Sequence, residues 1–189
     1  MPATDAAATP TASTGRASAR TLALLGVVAL AVYGLDQLAK YLILKNLVLD
    51  DQVDVLGKIL QFHLVKNSGA AFSLGAGYTW IFAIIASLVA IFIVVFARRI
   101  RSFAWTTVFG LLLGGTIGNL NDRLFREPGF GIGHVVDFLQ IYAFPAIFNL
   151  ADIAVCSAMV LFVILTLRGI GLDGRRAAGT KAAEPIDVP

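Results

Sequence analysis

Charge is scarce in this sequence: of its 189 residues only 14% are Asp, Glu, Lys or Arg, while 58% are hydrophobic. Mean hydropathy is +0.81. Soluble domains usually carry about 25% charge and about 45–50% apolar residues. A water-soluble fold around one core is therefore excluded, because too little polar sequence remains to coat it. Disorder along the whole chain fails on the same figures. Cysteine is nearly absent as well. Cys156 alone cannot close an internal disulfide, and with only His63 and His134 beside it the chain holds a poor zinc set. The net charge of +3 is too small to indicate nucleic acid. The sequence contains no HExxH motif, no GxSxG elbow and no Walker loop.

Long apolar runs are what the chain has instead. A bilayer core about 30 Å thick needs about 20 mostly apolar residues in a helix. Four segments qualify: Thr21 to Leu44, Tyr78 to Ala97, Phe103 to about Asn121, and Pro145 to Leu167. They predict an all-α membrane protein with four transmembrane helices, a membrane domain over 21–168 and outer segments at 45–77 and 122–144. The remainder, 1–20 and 169–189, is expected to form tails, disordered where Ala, Thr, Gly and Pro dominate (1–15 and 173–189). Two arginines before the first run resemble a secretory leader, but no small-residue cleavage site follows, so a retained signal-anchor helix is expected.

Arginine and lysine set the expected orientation. Arg16, Arg20, Arg98, Arg99, Arg101, Arg168, Arg175, Arg176 and Lys181 fall on one side of an even number of spans, against four acids. That side is expected to be cytoplasmic, with both termini on it and both larger segments outside.

An ionisable residue inside a span costs about 2.5–3.5 kcal/mol, so each one needs a reason. A rise of 1.5 Å per residue puts Asp36 roughly 22 Å and Asn119 roughly 24 Å above the inner ends of their helices. Asp152 falls roughly 10 Å below the outer face, and Asp122 and Arg123 lie just beyond Asn119. Antiparallel helices thus bring these groups to one level. Structural roles remain open: an i,i+4 pair for Asp36 and Lys40, and interfacial capping for Asn119, Asp122 and Arg123. Gly110, Gly114 and Gly118 form a small-residue stripe read as helix packing. Asp137 stands among apolar neighbours, and Asn67 can simply cap a turn.

Carboxylates are the remaining reactive groups. Two Asp side chains close together share a proton, and such a dyad hydrolyses peptides. Asp122 and Asp137 are level as partners for Asp152 on this reasoning. A Ser68 nucleophile with Lys40 or Lys66 as base is a weaker option, an ion-coupled transporter is the alternative function, and a purely structural membrane subunit is a third.

Five segments in order resemble the lipoprotein signal peptidases (signal peptidase II), bacterial inner-membrane aspartic proteases. They are Asp36-Gln-Leu-Ala-Lys40, Asn67-Ser-Gly-Ala-Ala-Phe72, Gly114 through Arg123, Val135-Val-Asp137-Phe and Phe148-Asn149-Leu-Ala151-Asp152. The resemblance implies removal of signal peptides from diacylglyceryl-modified prolipoproteins, just before the lipidated cysteine. It puts the catalytic pair on Asp137 and Asp152. Asp36, Lys40, Asn67, Asn119, Asp122, Arg123, Asn149 and Ala151 take supporting and substrate-binding positions. It further implies no metal or organic cofactor, contact with membrane lipids, inhibition by globomycin-type cyclic peptides, a monomer, and a small β-cradle with short strands in residues 45–70. One departure is the segment 125–133, longer than usual for the family, whose glycines suggest a mobile loop.

Overall fold

The structure, a computed structural model, describes residues 17–69 and 77–176. The expected disorder of 1–15 and 177–189, and the Ala70–Phe72 end of the Asn67 motif, lie outside these residues. Four helices are long and apolar enough to cross a membrane. They are α1 (Ala19–Asn46), α2 (Thr79–Phe96, continued by a 3-10 turn at Ala97–Arg99), α3 (Phe103–Phe125) and α4 (Leu150–Leu167). Between them run β1 (Gln52–Leu56), β2 (Leu60–Asn67), β3 (Val135–Ile141) and β4 (Ile147–Phe148).

The spans correspond to the four apolar runs, with differences at their ends. The last helix starts at Leu150 rather than Pro145, because Asn149 caps it. The Asn149 side chain accepts from the Asp152 amide and the Asp152 side chain accepts from the Asn149 amide, a reciprocal box that makes Asp152 a first-turn residue. Second, α3 runs four residues past Asn121, supported by an i,i+4 pair of Asp122 with Arg126. Third, the expected tail after 168 begins as ordered chain. Gly169, at φ 65°, ends α4 with the Gly169 amide bonded to Thr166 and the Ile170 amide to Leu165. The following turn accepts bonds at the Leu172 carbonyl from the Arg101 and Ser102 amides, and at the Ile170 carbonyl from the Trp105 indole. Likewise Ala19 and Arg20, placed in the first tail, are helical, because Ser18 caps α1 through the Thr21 amide.

The α3 helix is the spine of the bundle. Half of its apolar window is buried, against 17–22% for the other three helices, whose outer faces are left for lipid. Glycine makes this possible by letting backbones approach. A Cβ at Gly114 would lie 2.6 Å from the Ala29 carbonyl oxygen, and one at Gly115 would lie 2.5 Å from that of Ala151. The stripe thus receives α1 on one side, while Gly115 adds a contact with α4 on the other. Gly118 faces both, near Asp36 and Ala151.

The strands form one antiparallel sheet in the order β1-β2-β3-β4. The second outer segment, expected as a loop, supplies half of it, and the strands expected in residues 45–70 are β1 and β2. Register pairs Val65 with Asp137 and Asn67 with Val135. The β3–β4 pairing ends at Leu139 and Phe148, one residue before the Asn149 cap. Residues 126–134 are closed by hydrogen bonds from Gly133 to Arg123 and from His134 to Glu127 rather than left open. Two apolar clusters result. One, around Ile93, Val108 and Ala158, fills the bundle; the other, around Leu64, Val136 and Phe138, lies beneath the sheet. On α1 the first ends near Ala29 and the second begins at Ile43, with Asp36 and Lys40 between them.

Overpacking a close helix contact costs about 1–3 kcal/mol, so Gly114→Ala should lower the unfolding temperature in detergent. Gly34→Ala is the control: nothing lies within 4 Å of a Cβ there, and helix propensity favours alanine by up to about 1 kcal/mol. Equal effects of the two changes would show that the glycines do not set the helix spacing.

Candidate active site

Lys40 is the best-connected polar side chain at the junction of α1, α3 and the sheet. Its ammonium lies 2.8 Å from Asp36 Oδ2, 2.8 Å from Asp122 Oδ2 and 3.0 Å from Asn119 Oδ1, which uses its three donors. Lys40, Asp36 and Asp122 are all 0% exposed. The two acids are tied in further. Asp36 Oδ1 accepts from the Ala151 amide at 3.0 Å, anchoring the first turn of α4. Asp122 accepts from Arg126 Nε at 2.6 Å and from the Val136 amide at 3.2 Å, anchoring β3.

A second polar layer faces the outer side of this cluster. Asn119 accepts a hydrogen bond from the Lys40 ammonium on Oδ1 and donates through Nδ2 to Asp152 Oδ1 at 2.7 Å. Asn149 donates to Asn119 Oδ1 at 3.1 Å and to Asp137 Oδ1 at 2.6 Å. Asn67 donates to Asp137 Oδ2 at 2.9 Å, and its own Oδ1 accepts from the Gly69 amide. Three asparagines therefore fix two aspartates, and Asn149 serves both. Asp137 is nearly buried, whereas Asp152 is partly open. Burial, and after it the charge of Asp152, push the Asp137 carboxyl up to about 7 against the pull of Asn67, Asn149 and Lys40.

Arg123 lies within electrostatic reach of Asp137, Asp152 and Asp122. Its Nη1 and Nη2 donate to the carbonyls of Asn119 and Gly69, and its guanidinium sits 5.8 Å from the centre of the Phe82 ring. Its buried Nε has no acceptor among the described residues.

All ten residues singled out from the sequence converge here: Asp36, Lys40, Asn67, Asn119, Asp122, Arg123, Asp137, Asn149, Ala151 and Asp152. The Asp36–Lys40 pair is real and is also part of the site. Asp122, level with Asp137 on residues alone, is neutralised by Lys40 and Arg126, which leaves Asp137 beside Asp152. Sequence reasoning missed Gln37 and Arg126. Gln37 Nε2 donates to Asp36 and to the Gly118 carbonyl, and its Oε1 accepts from Asn121. The i,i+4 spacing of Asp122 and Arg126 was a legible signal; Gln37 carried none. Neither lysine suits a Ser68 nucleophile, since Lys40 is held as a cation by two acids and Lys66 is paired with Glu127 at 3.0 Å. Cys156 lies on an exposed face of the apolar helix α4.

The family model for signal peptidase (SPase) II matches residues 28–168. The chain belongs to the signal peptidase II family. It is 59% identical over 174 residues to the lipoprotein signal peptidase of Leifsonia xyli, covering 90% of this chain and 81% of that one. Against the lipoprotein signal peptidase of Streptomyces coelicolor it is 44% identical over 155 residues, 82% of this chain and 76% of the other. A solved bacterial membrane enzyme is similar at a TM-score of 0.71 with 28% identity, covering 82% of this chain and 92% of that one. As a signal peptidase II the chain is a multi-pass bacterial membrane protease. Nothing in these similarities supports an ion-coupled transporter.

Lys40→Met should leave Asp36 and Asp122 buried and short of a cation. Breaking a buried pair costs about 3–5 kcal/mol, so the variant should unfold far below the parent temperature or fail to accumulate in membranes. Lys66→Met, which breaks an exposed pair, should leave thermal unfolding essentially unchanged. Comparable unfolding temperatures for the two variants would contradict the role given to Lys40.

Proposed function

We propose that this signal peptidase II cleaves diacylglyceryl-modified prolipoproteins with Asp137 and Asp152 as an aspartic dyad. The observation that carries the reading is the charge count of the site. Lys40 and Arg126 offset Asp36 and Asp122. Arg123 then faces two carboxylates, and neutrality at the site calls for one further proton. A shared proton is what an aspartic dyad uses.

In this mechanism Asp137, the more buried of the two, carries the proton, and Asp152 stays ionised. A water held between them attacks the scissile carbonyl carbon. Its proton passes to Asp152 as the Asp137 proton passes to the carbonyl oxygen. The resulting diol collapses: Asp152 protonates the leaving nitrogen, and a diol hydroxyl returns its proton to Asp137. Each dyad oxygen already accepts one hydrogen bond from an asparagine or from the α4 cap and keeps a second lone pair for this traffic. Arg123 Nε, lacking an acceptor among the described residues, suits a carbonyl of the lipobox backbone or an oxygen of the lipid headgroup. A globomycin-type cyclic peptide competes for the same place, and the enzyme acts as a monomer without metal or organic cofactor.

Both termini and the 98–101 turn face the cytoplasm, and the site opens near the outer face. A cysteine introduced at Lys58, in a Cys156→Ala background, should react with a membrane-impermeant maleimide in spheroplasts. Labelling only after lysis would reverse this orientation.

Asp137→Asn and Asp152→Asn should each lower cleavage of a lipidated prolipoprotein by about 10³-fold or more while the protein stays folded in membranes. Asp122→Asn should instead lower the unfolding temperature, because Lys40 and Arg126 lose a shared anion. Near-parental activity in either dyad variant would sink the assignment.

The alkaline limb of activity follows from Asp137. Its proton is present below about pH 7 and is lost as pH rises through that value. Cleavage should therefore fall about tenfold per unit above the limb. A kcat/KM profile flat from pH 6 to 9 would contradict a proton held on Asp137.

A further inference from the structure

The inner ends of α2, α3 and α4 hold a groove that the proposed chemistry does not use. Two cavities of about 400 and 330 Å³ share Phe96, Phe109 and Phe162 as walls. The larger is floored by Thr166 and the turn Gly169–Leu172, the ordered chain that follows α4. Phe92, Met159 and Phe162 are exposed along the groove, so it opens sideways toward the bilayer. A helix is about 10–12 Å across and would lie over such a groove, whereas single acyl chains can enter it.

The rim is basic. Arg99 sits with its guanidinium carbon 5.9 Å from the centre of the Phe96 ring. Arg168 directly precedes Gly169, and Arg176 faces Ile170 across an antiparallel bridge. All three are exposed. Among the described residues at this end, Asp173 is the one acid beside seven arginines, and it is taken up by Arg101 at 4.0 Å and the Arg175 amide.

We propose that this groove is a binding site for one anionic phospholipid. Its acyl chains occupy the two aromatic-walled cavities, and its phosphate rests on Arg99, Arg168 and Arg176. Basic pockets between spans on the inner side suit anionic headgroups. The same rim argues against the other long apolar occupant at hand, a signal helix. Signal peptides carry a positively charged N-terminal region on the cytoplasmic side, which the arginines would repel.

The test is native mass spectrometry of the full-length protein in detergent, titrated with phosphatidylglycerol and phosphatidylcholine of the same acyl chains. Phosphatidylglycerol should bind about tenfold more tightly or better. R99Q/R168Q/R176Q should remove that preference while prolipoprotein cleavage is unchanged. Thr166→Trp, which fills the larger cavity from an exposed position, should weaken both lipids alike. Equal binding of the two lipids to the parent protein overturns the proposal. So does displacement of phosphatidylglycerol by equimolar inorganic phosphate, which would assign the rim to a free anion, or by a synthetic signal helix, which would assign the groove to substrate.

Discussion

A lysine ammonium with no exposed surface is tolerable only where its charge is met, and Lys40 is met twice. Asp36 and Asp122 each approach it to 2.8 Å, from the same helix and from α3. The other oxygens of those acids reach the Ala151 amide of α4 and the Arg126 side chain, and Asp122 Oδ2 also takes the Val136 amide of β3. One cation thus ties the second and third structural layers to the first. Buried ion pairs are poor stabilisers compared with apolar packing, so stability alone is a weak reason to keep this cluster. Its geometric consequence is stronger: it sets where α4 begins and how β3 meets α3. Asp152 and Asp137, the proposed catalytic pair, stand on those two elements.

The polar site survives at a lipid boundary because it is enclosed by apolar clusters on both sides. The bundle core lies below and the underside of the sheet above. Within that envelope, among the described residues, the one buried side-chain nitrogen or oxygen without a partner is the Nε of Arg123. A half-satisfied buried network costs more than an apolar one. That unmet donor lies on the arginine that faces Asp137 and Asp152, where the proposed substrate would complete the network.

Legibility from sequence followed physical range. The four spans were readable because bilayer insertion depends on local hydropathy and length. The polar level was readable because helical rise converts residue number into depth, and Asp36, Asn119 and Asp152 do meet. The helix at 150–167 was misplaced by five residues at its start, because proline at 145 gave a local start signal while the actual cap, Asn149, depends on reciprocal bonding with Asp152 and on β3–β4 pairing. The strand at 135–141 was not read, since its partner β2 lies some seventy residues earlier and pairing across that distance leaves no local period; the strand at 147–148 is too short to show one. Gln37 was invisible for a related reason: its bonds to Gly118 and Asn121 cross between helices. Preferring Asp137 to Asp122 as the proposed partner of Asp152 needed either a resemblance or the geometry, because only tertiary structure brings Lys40 of α1 to Asp122.

The combination of a helical bundle with a sheet also follows from what the reaction requires of the boundary. A carboxylate can hold a proton near neutral pH if it is desolvated, yet hydrolysis needs water at the same point. In the proposed dyad, Asp137 and Asp152 divide these demands by standing on different kinds of element. The Asp137 strand is buried on both faces between β2 and β4, which removes water from its carboxyl. Asp152 occupies the first turn of a helix, where unpaired backbone amides and the helix dipole favour an anion. That position is partly open, so water reaches it. A bundle alone would offer two helix-borne carboxylates in similar surroundings, with little to separate acid from base. The short sheet creates the asymmetry, and the Lys40 cluster holds the strand and the helix close enough for one asparagine, Asn149, to bond both aspartates.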